Sequence, residues 1–262
     1  MDLKKRVDFT LEVARNAGNI AATYYGTNKL NTEFKSDESP VTVADRACEK
    51  FIRERIEKVF PEDGIVGEEF GVKKGTSGLN WYIDPIDGTQ SFVTGVPFFA
   101  TMIAIETERD SIMGVVHFPI LNETVFAYTG GGTWWKRHNT EKFERTFVTK
   151  TSSLSLARIT SSSINYWKQT KREEILFDIS KKVKWVHGWG DSFGQILVAT
   201  GRLDLTLDPL MYDWDSMPLK PLVEEAGGIF SDFGGNRDPF GRSAFSCNPV
   251  LHEEVLKIIK SY

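Results

Sequence analysis

Trp81-Tyr82-Ile83-Asp84-Pro85-Ile86-Asp87-Gly88-Thr89 is the densest chemical signal in this 262-residue chain. An apolar run reads as a strand, and it ends by delivering two carboxylates, a glycine and a hydroxyl into one turn. Pro85 fixes the backbone there. Gly88 lets backbone N–H groups approach a phosphate closely, and Thr89 offers a hydroxyl to a phosphate oxygen or a water. Hard cations such as magnesium take oxygen ligands and keep several waters, so two acids at a strand end and an adjacent main-chain oxygen, that of Ile86, suit one. The same residues also read as an Asp-Pro turn followed by Asp-Gly, both common hairpin signals.

More acids stand at other element ends. Glu68 and Glu69 follow the apolar pair Ile65-Val66, and Trp214-Asp215 opens a helix. Four or five gathered carboxylates repel one another, and two cations about 3.5–4 Å apart are the usual resolution. Taken singly, Glu68 and Glu69 also read as solvated surface charge and Asp215 as a helix cap.

Helical spacing runs through Val7, Leu11, Ala14, Gly18 and Ala21, and again from Ala44 to Val59. The polar stretch 31–40 between them reads as a loop. Trp81 to Ile83, Thr101 to Ile105, Ile112 to Phe118 and Thr124 to Tyr128 read as strands, partly in hairpins. Gly130-Gly131-Gly132 with Lys136 to Glu144, and Ser161-Ser162-Ser163, read as surface excursions. In the second half the spacing predicts a helix over Gln195–Thr200, a strand over Leu203–Leu207, a helix over Leu219–Ala226 stopped by Gly227-Gly228, a strand over Ile229–Ser231 and a closing helix over His252–Ile259. Strands mixed with helices throughout imply an α/β (α+β) fold of stacked layers. One compact unit over 1–262 is expected, with sub-lobes of roughly 1–150 and 151–262.

Composition narrows the partners. Hydrophobic residues at 40% and charged residues at 26% are ordinary for a folded chain. A net charge of −4 without a Lys/Arg block argues against nucleic acid. No 18-residue apolar run appears and the first residues lack a signal-peptide core, so neither a membrane nor export is expected. Cys48 and Cys247 lack metal-ligand spacing and read as reduced, packed thiols in a cytoplasmic protein. The four histidines show no ligand spacing, and no Cys or Ser nucleophile motif stands out.

Four stretches together resemble the inositol monophosphatase family: Pro40 to Asp45, Gly67-Glu68-Glu69, Asp84 to Thr89 with Phe92, and Trp214-Asp215 followed by Glu225-Ala226-Gly227-Gly228. They fall in family order across almost the whole chain. The resemblance implies the layered αβαβα sandwich of the sugar phosphatases, two or three magnesium ions per site, and a homodimer. It implies metal ligation by Glu68, Asp84, Asp87, Asp215 and the Ile86 carbonyl, with Glu69 second in line. Thr89 and Asp45 would activate the attacking water, with Glu68 also in the catalytic group. The backbone at Gly88 and Thr89 would bind phosphate, and Lys35 would reach the site from its loop. Asp45 also reads as part of a capping box with Thr42, and Lys35 as a solvated lysine. The implied reaction is direct attack of water on a small phosphorylated metabolite, without a phosphoenzyme.

Two stretches resemble the histidinol-phosphate phosphatase branch. Gln90-Ser91-Phe92 stands where inositol enzymes continue Thr-Asn-Phe, and Trp189 to Gly194 leads into Val198 to Leu205 and Asp208-Pro209. Histidinol phosphate carries an ammonium and an imidazole, so its pocket should present acids beyond the metal ligands. Asp191 and Asp208 are the candidates, and they also read as a helix cap and a turn. Asp215-Ser216-Met217-Pro218 departs from the small residues common at that point, and Pro221 suggests an irregular helix start. The alternatives are an inositol 1-phosphate or other sugar or nucleotide phosphatase, and a catalytically silent module that binds phosphorylated ligands. The second would have lost a metal acid, and none is lost.

Overall fold

The computed structural model describes residues 3–27, 32–34 and 40–262. Helix α1 (Leu3–Tyr24) buries the small-residue face read from the spacing, including Val7, Ala14, Gly18 and Ala21. Small side chains let it lie close: a Cβ on Gly18 would sit 2.7 Å from His117 Cδ2. Strand β1 (Thr32–Phe34) pairs antiparallel with β2 (Pro40–Thr42), so the stretch expected as loop carries a short ladder. At the start of α2 (Val43–Val59) the Ala44 N–H donates to Thr42 Oγ (3.1 Å), and the Thr42 N–H donates to Asp45 Oδ2 (2.8 Å). That is the capping box expected from sequence.

An eight-stranded sheet follows: β3 (Gly64–Gly67), β4 (Gly71–Lys73), β5 (Asn80–Asp87), then after the short α3 (Thr89–Val93) come β6 (Ala100–Thr107), β7 (Asp110–Phe118), β8 (Glu123–Tyr128), β9 (Gly132–Lys136) and β10 (Phe143–Arg145). Its order is β10-β9-β8-β7-β6-β5-β3-β4, antiparallel except where β3 meets β5. The expected surface excursion at Lys136 to Glu144 is a hairpin, because Trp134 and Trp135 supply the apolar, β-prone residues that pair with β8 and β10.

The second half forms a five-stranded sheet from β11 (Arg158–Ser161), followed by α4 (Ile164–Thr170), α5 (Glu173–Ser180), β12 (Trp185–His187), α6 (Asp191–Ala199), β13 (Leu205–Asp208), α7 (Asp213–Glu224), β14 (Ile229–Ser231), β15 (Ala244–Cys247) and α8 (Pro249–Ile259). The order is β12-β11-β13-β15-β14. Ser161 and Ser162 are buried at the end of β11, not a surface excursion, because Ser162 N continues the ladder to Leu207 O (3.2 Å).

Side-chain alternation along the strands divides the core into layers. Ile103, Ile105 and Val115 pack under α1 and α2, whereas Met102, Val116 and Val125 face Ile196, Leu219 and Leu222 of α6 and α7. Phe230 and Ala244 of the second sheet close that middle layer from the other side. Ile159, Leu205 and Leu207 turn outward under Trp167, Ile175 and the α8 residues Leu251 and Val255. The result is an αβαβα sandwich, each fully buried large side chain contributing roughly 1.5–3 kcal/mol. Among the described residues no helix is long and apolar enough to cross a membrane.

Helix α7 corrects two expectations. It begins at Asp213, ahead of Leu219, and runs through both Pro218 and Pro221. A proline cannot donate to the carbonyl four residues back, so Pro221 leaves Met217 O without its helical partner. Ser111 Oγ from β7 donates to that oxygen at 2.6 Å. The neighbouring carbonyl explains Gly114, where a Cβ would sit 2.0 Å from Pro218 O. Gly114→Ala is therefore expected to destabilise the fold by about 2 kcal/mol or more, since backbone on both sides must move. Chemical denaturation with an unchanged m-value checks it.

Candidate active site

Asp84 and Asp87 are three apart, and strict strand alternation would send them to opposite faces. The β5–β6 register changes between them, Asp84 opposite Met102 and Asp87 opposite Ala100, so β5 carries one extra residue. This bulge turns both acids to the same side. Thr101 Oγ donates to Pro85 O (3.0 Å) inside the irregularity, and the Ile86 N–H donates to Asp84 Oδ1 (3.1 Å). Asp215, on the first turn of α7, completes the group: one carboxylate oxygen each from Asp84, Asp87 and Asp215 lie within 4.8 Å of one another. The parallel pairing of β3 with β5 brings Glu68 level with this end of β5, with Glu68 N donating to Ile83 O (3.2 Å).

Electrostatics fit a cation. Burial first, then the charges of Glu68, Asp87 and Asp215, push the Asp84 carboxyl well above the usual range. Burial and Asp87 do the same to Asp215. Burial and Asp191 raise Asp87 to about 7. Gathered oxygen donors with this mutual repulsion suit a hard divalent cation.

Asp87 is held from the second half of the chain, by the first turn of α6. Ser192 donates to Asp87 Oδ2 through its N–H (2.9 Å) and through its hydroxyl. Ser192 was not singled out from the sequence, because this bond spans 105 residues. Gly88 has φ +77, and a Cβ there would meet Phe98 O at 2.9 Å and Asp191 Oδ2 at 3.4 Å, so only glycine fits. Thr89 Oγ donates to Ile86 O (3.1 Å), while Asp45 Oδ2 takes the Thr42 N–H and hydroxyl. Each of the two side chains is thus oriented by a residue three positions away in its own segment. Burial, with smaller pushes from Glu69 and Glu68, still raises Asp45 to about 7, so Glu69 lies on the Asp45 side of the cluster. Lys35 lies outside the described residues.

Asp191 and Asp208 both lie beside the acidic triad. Burial and Asp208 raise Asp191 to about 6, and burial raises Asp208 to about 7. Gln195 Nε2 donates to Asp208 Oδ2 at 2.6 Å, whereas Asp208 Oδ1 and Gln195 Oε1 are buried without a hydrogen-bond partner. The Ser162 hydroxyl, from the end of β11, lies close enough to Asp208 to favour its charged form. Tyr166, which no motif indicated, comes from α4: its phenol is pushed up by burial and then by Asp191, Asp215 and Asp87. Of the histidines, His117 is buried against Thr124 Oγ (2.9 Å) and lowered to about 4 by burial, so it is a neutral packing group.

Behind Glu68 stands Glu49, fully buried on α2. Glu49 Oε2 accepts from Glu69 N (2.7 Å), Oε1 accepts from Phe70 N (3.2 Å), and Arg53 Nε donates to Oε1 (2.7 Å). The clamp also requires Gly67, since any Cβ there would collide with Glu49 Oε1. Glu49→Gln puts an NH2 against backbone N–H groups and loosens the turn that carries Glu68. Half-saturation by magnesium is expected to rise about 10–100-fold, the range for groups that orient a metal ligand, as measured by calorimetric titration.

The raised acids predict a pH effect in the metal-free protein. Asp45, Asp87 and Asp208 titrate at about 7 and Asp191 at about 6 when folded, against roughly 3.9 for an unfolded aspartate. Between those values the folded state holds more protons, so its stability falls as pH rises through the window. The Tm without metal should drop by several degrees from pH 5 to pH 8, and magnesium should remove most of the drop.

The model of the inositol monophosphatase family matches residues 2–262. A histidinol-phosphatase of Chlorobaculum parvum is 34% identical over 97% of this chain and 96% of its own. A histidinol-phosphatase of Mycobacterium tuberculosis is 35% identical over 94% of each. The solved structure of a Thermotoga maritima IMPase superposes with a TM-score of 0.87 at 29% identity, over 98% of this chain and 97% of that one. A family match from end to end, on a sandwich that gathers Asp84, Asp87 and Asp215, has one meaning: the chain belongs to the inositol monophosphatase family.

Proposed function

We propose that the chain is a magnesium-dependent phosphomonoesterase that hydrolyses L-histidinol phosphate to L-histidinol and phosphate. The observation that carries the hydrolytic part is the convergence of Asp84, Asp87 and Asp215 within 4.8 Å. Glu68, these three aspartates and the Ile86 carbonyl would hold the magnesium ions. Bound there, magnesium would lower the pKa of a water and offset charge on the departing oxygen. Ser192 fixes the direction of Asp87 by two bonds to one oxygen, leaving the other free to turn to the cation. The Thr89 hydroxyl spends its proton on Ile86 O, so its lone pairs are available to accept a proton-bearing water. The left-handed turn at Gly88 leaves the following N–H groups for phosphate oxygens.

For the leaving group, the Asp208 carboxylate suits an ammonium, which has three donors and no acceptor. Asp191 adds a second acid on the same side. The names of the two histidinol-phosphatase relatives support the same substrate. The proposal includes a homodimer in the cytoplasm. Cys48 and Cys247, both free and buried, suit a reducing compartment. Phosphate release from L-histidinol phosphate tests the proposal: turnover should stop on chelation and return with magnesium, and undiminished turnover in chelator would refute it.

A further inference from the structure

Trp214 and the loop between β14 and β15 have no part in the chemistry above. Yet Asp215 Oδ2 accepts the Tyr212 N–H at 2.8 Å, so the backbone of Tyr212 sets the direction of one of the three gathered carboxylates. Two groups bear on the Tyr212 ring. Trp214 lies parallel to it, with centroids 5.1 Å apart and planes at 8°, and the Arg242 guanidinium lies over it at 4.5 Å. Arg242 reaches the same segment through its backbone, since the Met211 N–H donates to Arg242 O at 2.9 Å. One residue of the loop thus grips two neighbours, Met211 by its carbonyl and Tyr212 by its side chain.

Arg242 has φ +60, a left-handed backbone that a side chain with a Cβ disfavours. Such a conformation persists only where its surroundings fix it. Here both flanks are fixed: a Cβ on Gly241 would sit 2.6 Å from Asp232 Cβ, and the Phe233 N–H donates to Ser243 Oγ at 3.2 Å. The left-handed turn between them presents the Arg242 carbonyl to Met211 and its guanidinium to Tyr212. It stands just past the end of the β13–β15 ladder, where Asp208 pairs with Ala244. Turn geometry alone would favour glycine at 242, so an arginine there implies a task for the side chain.

We propose that Arg242 is a positioning residue for Asp215. Its carbonyl and guanidinium fix residues 211 and 212 against the β14–β15 loop, and the Tyr212 N–H, so placed, holds one oxygen of Asp215 and leaves the other to a cation. This rests on the reading of Asp215 as a magnesium ligand. The effect passes through a single backbone N–H, so it bears on metal affinity and not on the choice of leaving group.

The test is calorimetric titration of magnesium into metal-free wild type, Arg242→Gly, Tyr212→Ala and the double variant, with the metal-free Tm recorded for each. Arg242→Gly relieves the left-handed backbone and keeps the carbonyl that Met211 uses, so its metal-free Tm should stay within about 2 °C of wild type. Its magnesium affinity should fall about three- to tenfold, short of the loss for a group that bonds the ligand directly. The double variant should bind no more weakly than Tyr212→Ala alone, because both substitutions remove the same contact. Wild-type affinity in Arg242→Gly, a metal-free Tm lowered beyond that margin, or losses that multiply in the double variant would each overturn the proposal. The metal reading fails separately: a wild type that takes up no magnesium refutes it and this role together, whereas equal binding by wild type and Arg242→Gly refutes the role of Arg242 alone.

Discussion

Asp84→Asn is expected to lower kcat/KM for phosphate release by about a thousandfold, beyond the 10–100-fold typical of groups that only orient a ligand. The same substitution should leave the metal-free protein as stable as wild type or more so. Asp84 is almost fully buried, and its carboxyl is pushed up by burial and four neighbouring acids. Replacing it with an amide of the same shape removes repulsion that only a cation offsets. The Ile86 N–H keeps an acceptor in the amide oxygen. The paired readout is turnover together with Tm at zero and saturating magnesium. Wild type should gain Tm on adding magnesium and the variant little. Lost turnover accompanied by a lower metal-free Tm would mean that Asp84 serves folding.

Asp208→Asn should weaken kcat/KM for L-histidinol phosphate about 10–100-fold, the loss of one charge-assisted hydrogen bond to an ammonium. Glycerol 1-phosphate, which offers no ammonium, should lose much less. Asp208 Oδ2 already accepts from Gln195, and Gln195 Oε1 is unmet, so an asparagine can pair with the glutamine in either sense and the fold should survive. Equal losses on both esters would instead place Asp208 among the groups that serve the phosphate end.

The turn from Asp84 to Thr89 was legible because its chemistry is local: a strand delivering acids, a proline and a glycine states its geometry in consecutive residues. Its convergence with Asp215 and Glu68 was legible only through the family resemblance, since no spacing rule relates β5 to α7. Ser192, Glu49 and Tyr166 were not legible at all. Ser192 acts across 105 residues, Glu49 works through the backbone of Glu69 and Phe70, and Tyr166 belongs to a seven-residue helix with no motif. The fold followed the same division. Periodicity found α1, α2 and the β6–β8 meander, where one face is apolar. It missed the run of α7 through both prolines, where Ser111 on β7 donates to the carbonyl that Pro221 leaves open. It failed at the β9–β10 hairpin too, where glycines and charges hide a short ladder.

The most direct measurement is steady-state kcat/KM for L-histidinol phosphate against inositol 1-phosphate, 3′-phosphoadenosine 5′-phosphate and fructose 1,6-bisphosphate, each with magnesium and with chelator. The account predicts magnesium-dependent turnover with L-histidinol phosphate preferred by at least about tenfold, the equivalent of one good polar contact. Hydrolysis of inositol 1-phosphate at an equal or higher kcat/KM would contradict it.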